Sequence, residues 1–377
     1  MLDKTVKRIL NADVYDAAVE TPLDRATALS TRLNNEVFIK REDLQEVFSF
    51  KIRGAYNKMS SLNAKQRSEG VLGASAGNHA QGLAQAAKLM GVRATIVMPV
   101  TTPEIKVASV RARGAKVVLF GDTFNDALSH ALALEKQRNL HFIHPFDDPE
   151  IIAGQGTVAM EIVHQHSAKI DAVFVPVGGG GLIAGIAAYI KTVRPETQVI
   201  GVEYEESASL AAAMAAGRRV KLKQVGIFAD GIAVAQVGKH TWPLMKQYVD
   251  GVITVSSDEI CAAVKDIFDD TRVIAEPAGA VSVAGMKKYV ADKQCRGQTL
   301  ITISTGANAN FDRLRYVTER AEVGEQREAI LAVTIPERQG AFKKFVRVLG
   351  KRLITEFNYR RDDADSARIF LGIKIAN

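Results

Sequence analysis

The chain has 377 residues, of which 47% are hydrophobic and 24% are charged. This composition is typical of globular proteins and excludes a disordered or fibrous chain, and the length is sufficient for two or three domains with their own cores. Its 49 basic and 42 acidic residues give a net charge of +7 but are interspersed, without a basic run among aromatic residues. Small anionic molecules are therefore expected as ligands, and nucleic acid is not.

The two cysteines, Cys261 and Cys295, have neither the spacing of metal ligands nor that of a redox pair, so no metal site and no disulfide framework are expected. The N-terminal segment lacks an apolar run followed by a small-residue cleavage site, and no stretch approaches about 18 uninterrupted apolar residues. The sequence therefore predicts a cytoplasmic protein that does not bind membranes.

Short β-branched runs alternate with longer amphipathic segments, such as "HAQGLAQAAKLMG", from residue 35 onward. Most of the short runs are almost continuously apolar, as expected of strands that helices cover on both faces. The predicted fold class is therefore α/β with largely parallel sheets. The predicted strands, in chain order, are "EVFIK", "GVLGAS", "ATIVMP", "KVVLF", "HFIHP", "AVFVPV", "VIGVE", "GVITV" and "LITIST".

Nine strands are many for a single open sheet, so we predict a main domain over residues 1–320 with two lobes. A small lobe at about 45–150 would be inserted in the larger one, with a ligand in the cleft between them. The charged segment "NFDRLRYVTERAEVGEQRE" is predicted to be a helical connector. Residues 328–377 are then predicted to form a strand, a helix and a hairpin of two strands that turns at "RRDDAD".

The strongest local signal is "VFVPVGGGGLIAG", a strand followed by Gly178–Gly181 and then by a helix. Without Cβ atoms the backbone can turn sharply and present successive N–H groups beside the positive end of the helix, which together favour a phosphate group. A flexible turn is the alternative, although one or two glycines suffice for a turn. The nucleotide-binding pattern G-x-x-x-x-G-K-[ST] is missing, and Glu203 and Glu205, about twenty residues downstream, leave a dinucleotide as a weaker alternative.

Lys51 follows Phe48, Ser49 and Phe50, just ahead of an amphipathic segment. A lysine is most often a solvated surface charge, and that interpretation stays open for Lys51 taken alone. A lysine together with a phosphate cradle indicates pyridoxal phosphate, because proteins hold this cofactor by a Schiff base to a lysine and by its phosphate at the start of a helix.

Two further strand ends carry polar residues. In "ASAGNHAQG", Ser75, Gly77 and Asn78 offer hydrogen-bond donors to a substrate carboxylate or a ring oxygen, with ordinary helix capping as the alternative. In "ISTGANANF", Ser304 and Thr305 place hydroxyl groups where they can contact a bound ring, with a plain strand end as the alternative.

These motifs, in the order "SFKIRGA", "SAGNHAQG", "PVGGGGL" and "STGAN", resemble those of the fold-type II pyridoxal phosphate enzymes, and among them the biosynthetic threonine dehydratases. The resemblance runs from about residue 10 to the end and includes "FADGIAV" and "AEPAGA". It implies a two-lobed enzyme that binds pyridoxal 5'-phosphate and deaminates L-threonine, and also L-serine, as the first step of isoleucine biosynthesis. It further implies assembly of four chains into a homotetramer.

The resemblance implies a role for each matching position. Lys51 would form the Schiff base and remove the Cα proton, Asn78 would contact the ring hydroxyl oxygen, and Phe50 would flank the ring. Thr305 stands where the family usually has a serine that faces the pyridine nitrogen. The phosphate would be held by Gly178, Gly179, Gly180, Gly181 and Leu182, and the substrate by Ser75, Ala76, Gly77 and Asn78.

An alcohol beside the pyridine nitrogen leaves that nitrogen largely neutral, which favours expulsion of a β-substituent over transamination. A β-replacement enzyme of the cysteine or cystathionine synthase type and a non-catalytic amino-acid sensor stay open as alternatives. Serine racemases, which the catalytic part also resembles, have a second serine at the position of Ala76, so little racemisation is expected.

Residues 328–377 resemble the start of the ACT-like regulatory region of these enzymes, which binds isoleucine or valine. A full unit of that kind runs strand, helix, two strands, helix, strand, and this sequence ends after what is predicted to be the third strand. The resemblance therefore implies a partial regulatory domain, and we expect at best altered inhibition by isoleucine.

Overall fold

The computed structural model describes residues 4–325, 327–361 and 365–375. Its strands are β1 (Leu23–Arg25), β2 (Glu36–Arg41), β3 (Val71–Ala74), β4 (Ala94–Met98), β5 (Lys116–Leu119), β6 (His141–Phe142), β7 (Ala172–Pro176), β8 (Gln198–Tyr204), β9 (Gly251–Val255), β10 (Thr299–Ser304), β11 (Glu328–Pro336), β12 (Ile354–Arg361) and β13 (Ser366–Lys374). Its helices are α1 (Lys4–Leu10), α2 (Thr27–Leu33), α3 (Lys51–Ser60), α4 (Ala64–Glu69), α5 (Asn78–Leu89), α6 (Glu104–Ala112), α7 (Phe124–Arg138), α8 (Pro149–Gln165), α9 (Gly181–Val193), α10 (Ser209–Ala216), α11 (Thr241–Tyr248), α12 (Ser257–Thr271), α13 (Pro277–Lys293), α14 (Leu314–Gly324) and α15 (Ala341–Leu349). Among these described residues, no helix combines the length and the apolar character needed to cross a bilayer.

The predicted α/β class is confirmed, and every predicted strand is present. Within residues 4–325, the larger sheet has the strand order β1-β2-β10-β7-β8-β9 and is parallel except between β1 and β2. The smaller sheet, β5-β4-β3-β6, is parallel throughout and lies between residues 71 and 142. The sequence did not predict β1, because three residues without a buried side chain give no apolar signal.

Helices cover both faces of the larger sheet, as its apolar strands predict. Val173 and Val175 of β7 share one buried cluster with Ile183 of α9. Phe174, which points to the other face, shares a different buried cluster with Val281 of α13. Strand β7 is therefore buried along its whole length, and its carboxyl end opens into the interior of the protein.

Several helices begin at residues whose side chains accept hydrogen bonds from the first N–H groups of the helix. Asp148 accepts from the N–H of Glu150 at 2.8 Å and so starts α8. Thr123 and Asp126 form a capping box at the start of α7. These caps fix where the loops after β6 and β5 end, and both loops lie at the carboxyl edge of the smaller sheet.

Helix α3 lies against α5 and α8 at contacts that glycine makes possible. A Cβ atom on Gly82 of α5 would lie 3.0 Å from the carbonyl carbon of Lys51. A Cβ atom on Gly154 of α8 would lie 2.7 Å from the carbonyl oxygen of Arg53. Real Cβ atoms do not fit at the distance found for Gly154, and the distance for Gly82 is tighter than most real Cβ contacts, so a side chain on either helix would press against the backbone of α3. Close packing on both sides therefore fixes the first turn of α3.

The C-terminal part follows the predicted order of elements. The charged connector forms α14, and β11, α15, β12 and β13 follow it. The three strands form an antiparallel sheet in the order β11-β13-β12 within residues 327–361 and 365–375. Ile335, Leu349 and Leu371 belong to its buried cluster. Of the predicted turn at "RRDDAD", residues 362–364 lie outside the described residues.

Candidate active site

Loops from both parallel sheets meet at one cavity of about 880 Å³. The loops after β3, β7 and β10 reach it from the carboxyl ends of their strands, where parallel sheets bind ligands. The cavity brings together all of the residues that the sequence predicted for the site. They are Phe50, Lys51, Ser75, Ala76, Gly77, Asn78, Gly178, Gly179, Gly180, Gly181, Leu182 and Thr305.

Lys51 is the first residue of α3 and extends into the cavity. Its Nζ atom donates a hydrogen bond to the carbonyl oxygen of Pro145 at 3.0 Å. Burial lowers the pKa of Lys51 from 10.5 to about 8, against the opposing effect of the Glu276 carboxyl group. The interpretation of Lys51 as a solvated surface charge is therefore wrong, and its amine is largely neutral in mildly alkaline solution.

The segment before Lys51 is hydrogen-bonded to the chain after β10. Ser49 forms an isolated antiparallel bridge with Gly306. The N–H of Phe50 donates to the carbonyl oxygen of Thr305 at 3.3 Å. The Thr305 hydroxyl group donates to the carbonyl oxygen of Ala278 at 3.3 Å, which orients it at the edge of the cavity. The lysine and the hydroxyl group are thus held by one local network.

The glycine loop excludes side chains at each position. A Cβ atom on Gly178 would lie 3.0 Å from the Cα atom of Ile232, and one on Gly179 would lie 2.3 Å from the Phe146 ring. Gly180 has a φ of +93°, which favours glycine. In the described part of the chain, no acceptor pairs with the backbone N–H groups of Gly178, Gly179 and Gly180. These donors precede α9, whose positive end adds to their attraction for an anion.

The loop after β3 does not serve as an ordinary helix cap. Ser75 Oγ accepts from the N–H of Gly77 at 3.2 Å, and Gly77, which precedes α5, makes no side-chain cap. Asn78 Nδ2 donates to Glu276 Oε1 at 2.6 Å, and Asn78 Oδ1 accepts from Asn308 Nδ2 at 2.7 Å. The amide of Asn78 therefore belongs to a network that joins the loop after β3 to α13 and to the chain after β10.

Glu276 is a cavity residue to which the sequence analysis gave no role. It lies directly before Pro277, at the start of α13, and its side chain is 4% exposed. Burial raises the pKa of Glu276 to about 7, and the negative charge of Asp230 adds to the effect. An acidic residue before a helix-starting proline normally indicates a cap. The sequence around Glu276 is therefore typical of a helix cap and does not predict that its carboxyl group lies in the cavity.

The loop after β6 forms a further part of the cavity that was not predicted. His144 Nδ1 accepts from the backbone N–H of Asp147 at 2.8 Å and from that of Phe146 at 3.2 Å. Burial lowers the pKa of His144 to about 4 and that of His79 to about 3, so both rings are neutral. His79 Nε2 pairs with the carbonyl oxygen of Ile143 at 2.9 Å, which agrees with a structural role. The only signal for this loop was its place after a parallel strand.

Comparison with known proteins identifies the class of this site. A family model described as "pyridoxal-phosphate dependent enzyme" matches residues 14–306. The chain belongs to the pyridoxal-phosphate dependent enzymes. A second model, described as the "C-terminal regulatory domain of Threonine dehydratase", matches residues 319–377. Within this enzyme family, the chain is one of the biosynthetic threonine dehydratases.

Named relatives of this pyridoxal-phosphate dependent enzyme cover nearly all of the chain. The L-threonine dehydratase biosynthetic IlvA of Burkholderia multivorans is 57% identical over 373 residues, which are 98% of this chain and 74% of that protein. The protein of the same name from Pasteurella multocida is 54% identical over 370 residues, covering 98% of this chain and 72% of the relative. The solved structure of the processed form of threonine deaminase isoform 2 from Solanum lycopersicum has a TM-score of 0.83 and 49% identity, covering 84% of this chain and 92% of that one.

The cavity fits pyridoxal phosphate at both ends of the cofactor. The N–H groups of the glycine loop and the start of α9 suit a phosphate group. The amine of Lys51 in the same cavity suits an aldehyde, because burial lowers its pKa and so increases the fraction that is unprotonated. A volume of about 880 Å³ is sufficient for this cofactor together with a small amino acid.

Proposed function

We propose that this protein deaminates L-threonine to 2-oxobutanoate and ammonia, as the first step of isoleucine biosynthesis, and that it also accepts L-serine. The observation that carries the proposal is the cavity in which the buried amine of Lys51 and the free N–H groups of the glycine loop come together. The match to the threonine dehydratase regulatory domain favours this activity over β-replacement. A non-catalytic sensor is not favoured either, because the cavity contains both Lys51 and the complete glycine loop.

Specific residues bind and orient the cofactor in this proposal. Gly178–Leu182 would donate backbone hydrogen bonds to the phosphate, Asn78 would donate to the ring oxygen, and Phe50 would flank the ring. The hydroxyl group of Thr305 would lie on the side of the pyridine nitrogen. When bound, pyridoxal phosphate withdraws electrons from Cα of the amino acid and so makes the Cα proton acidic.

The remaining chemistry belongs to Lys51 and to the loop after β3. The backbone and side-chain donors of residues 75–78 bind the carboxylate of threonine and thereby orient its Cα–H bond. Lys51 Nζ removes the Cα proton, for which it must be unprotonated, and its lowered pKa increases the unprotonated fraction at neutral pH and makes it predominant in mildly alkaline solution. The β-hydroxyl group then leaves as water with a proton from Lys51 or from the cofactor phosphate, and the released aminocrotonate is hydrolysed to 2-oxobutanoate and ammonia. Because the loop has Ala76 rather than a second serine, no acid of this loop reprotonates Cα from the other face, and we expect little racemisation.

We also propose a homotetramer and an effector site for isoleucine or valine. The support for the effector site is the match of residues 319–377 to a regulatory domain, together with the small antiparallel sheet of that part. The support for the tetramer is the resemblance to the threonine dehydratases alone.

The function is tested by replacing the lysine. We expect Lys51→Ala to lose the visible absorbance of covalently held cofactor and to slow threonine turnover by about a thousandfold or more. Formation of 2-oxobutanoate and the absorbance spectrum are the measurements. Lys65→Ala is the matched control, because that side chain lies on the surface of α4 and is 83% exposed. A Lys51→Ala protein with a nearly normal rate would refute the assignment.

A further inference from the structure

Glu276 places a buried carboxyl group in the cavity. Its Oε1 atom lies between two glycines, since a Cβ atom on Gly306 would be 2.7 Å away and one on Gly231 would be 3.5 Å away. The side chain makes no cap for α13, although it precedes the helix. A buried carboxylate is costly, and a position in a ligand cavity with one hydrogen-bonded partner points to a role in the reaction.

The partner, Asn78, is held at both ends of its amide. Asn308 Nδ2 donates both to the carbonyl oxygen of Val47 at 2.9 Å and to Asn78 Oδ1 at 2.7 Å. A backbone carbonyl can only accept, so Val47 fixes the orientation of Asn308, which in turn fixes the oxygen of Asn78. At the other end Asn78 Nδ2 donates to Glu276 Oε1 at 2.6 Å. An amide nitrogen has two hydrogens, and one N–H of Asn78 therefore stays free for a ligand.

We propose that ionised Glu276 is a positioning residue, which acts through Asn78 by keeping its amide turned so that one N–H is presented to the ring oxygen of the cofactor. The proposal rests on the proposed function. An ionised carboxyl group accepts only and thus permits a single orientation of the Asn78 amide. A protonated carboxyl group, or a glutamine, can also donate, so that the amide is no longer restrained from that side.

The charges that face Glu276 come from three other elements. Lys51 of α3 and Lys106 of α6 favour its ionised form, Asp230 opposes it, and burial opposes it most strongly. Lys106 also pairs with Asp230 at 2.8 Å, so these two charges partly cancel. With a pKa of about 7, Glu276 loses its charge as the pH falls through neutrality. The restraint on Asn78 is therefore present above that pH and is lost below it.

The test is the binding of pyridoxal phosphate to the cofactor-free protein from about pH 6 to about pH 8.5, followed by absorbance. At the alkaline end we expect Glu276→Gln to weaken binding by about tenfold or more, the effect of one charge-assisted hydrogen bond. Toward the acid end the difference between the two proteins should shrink, because wild-type Glu276 is then neutral as well. Loss of the Glu276 charge also lowers the pKa of Lys51, which favours cofactor binding and so cannot produce the expected loss.

Asn308→Asp tests the same orientation from the other end of the amide. An aspartate cannot donate to Asn78 Oδ1, and we expect a similar loss of cofactor affinity. Asn310→Asp is the matched control, since it makes the same chemical change in the same loop. Asn310 Oδ1 accepts from the N–H of Asp312, which an aspartate does equally well. Binding by the Asn310→Asp protein should be unchanged.

The outcomes separate this inference from the proposed function. If Glu276→Gln and Asn308→Asp both bind the cofactor as the wild type does at every pH, the positioning role is wrong while the function stands. If the wild type binds no pyridoxal phosphate, the function itself fails. Circular dichroism of each cofactor-free protein establishes whether it is folded. If one variant does not fold, cofactor binding by the other variant tests the positioning role.

Discussion

The low pKa of the Lys51 amine depends on the point at which α3 begins. Its amine is removed from water at the first turn of a helix that glycine contacts hold on two sides. Burial lowers its pKa more than the carboxyl group of Glu276 raises it. The same side chain on an exposed helix would keep the ordinary lysine pKa of 10.5, and its unprotonated fraction at neutral pH would be far smaller.

The lowered pKa of Lys51 predicts how cofactor uptake depends on pH. An amine attacks an aldehyde only when it is unprotonated, and the unprotonated fraction rises with pH and saturates above the pKa. We therefore expect the rate of pyridoxal phosphate uptake by the cofactor-free protein to increase up to a pH of about 8 and then to level off. Stopped-flow absorbance measures this rate. A rate that kept rising toward 10.5, the ordinary pKa of lysine, would contradict the burial argument.

Replacement of Gly180 by a residue with a side chain is expected to weaken phosphate binding. Alanine at a φ of +93° costs about 1–2 kcal/mol of stability, and its Cβ atom would lie 2.5 Å from Met245 Sδ. We expect Gly180→Ala to lower the affinity for pyridoxal phosphate by about tenfold or more, because the loop must shift its N–H donors. Equilibrium titration of the cofactor-free protein gives the affinity.

Gly217 offers a matched control for this substitution. It also has a positive φ, +65°, but among the described residues no atom beyond its chain neighbours lies within 4 Å of the position of an added Cβ atom. Gly217→Ala should therefore show the loss of stability that comes from backbone strain alone, and normal cofactor binding. Equal cofactor affinities of the two alanine variants would mean that the glycine loop does not hold the phosphate.

At the scale of elements, a buried ionic cluster holds α3 in place. Arg53, in the first turn of α3, pairs with Glu42 at 2.8 Å and with Glu161 of α8 at 2.5 Å. Lys40 of β2 pairs with the other oxygen of Glu161 at 2.6 Å. The side chains of these four residues are at most 2% exposed. The cluster therefore ties the lysine-bearing helix to the larger sheet and to α8.

Removal of Arg53 should destabilise the whole protein. Arg53→Ala leaves two buried carboxylates with a single lysine between them, which we expect to cost about 3–5 kcal/mol of unfolding free energy. Arg25→Ala breaks an exposed pair with Glu36 and should cost less than about 1 kcal/mol. Urea unfolding of both variants measures the difference. Similar losses for the two would show that the buried cluster contributes little.

Local sequence patterns predicted some features of these elements and not others. The strands were predictable because parallel strands buried on both faces are continuous apolar runs. The glycine loop was predictable because consecutive glycines are costly without a function. Arg53 and Glu276 were not assigned roles, although both lie in motifs that the resemblance contains, since a charged residue gives no local sign that it is buried. Their partners come from other elements, and only the fold brings them together.

At the scale of the whole molecule, the catalytic and regulatory parts have separate sheets. Helix α14 joins them and is held on the catalytic side, where Arg320 pairs with Asp258 of α12 at 2.5 Å. Glu325 pairs with Lys287 of α13 at the end of this helix. The small antiparallel sheet has a buried cluster of its own. Catalysis is therefore expected to depend little on the residues beyond α14.

A chain that ends at Glu325 tests this division. We expect it to retain threonine turnover and to show no response to isoleucine, whereas the 377-residue chain should respond. The measurement is 2-oxobutanoate formation over a range of threonine concentrations with and without isoleucine. Inhibition that persists in the shortened chain would place the effector site elsewhere.

The sequence by itself determined the α/β class, the positions of the strands along the chain and the residue types at the strand ends, because these depend on periodicity and on local backbone chemistry. Only the tertiary structure decided which charges are buried and what they contact. Asn78 and Glu276 are 198 positions apart, and Arg53 and Glu161 are 108 apart. Parallel strands are joined by long crossovers, so the residues that share a cavity are distant in the chain, and their pKa values follow from burial that no local pattern encodes.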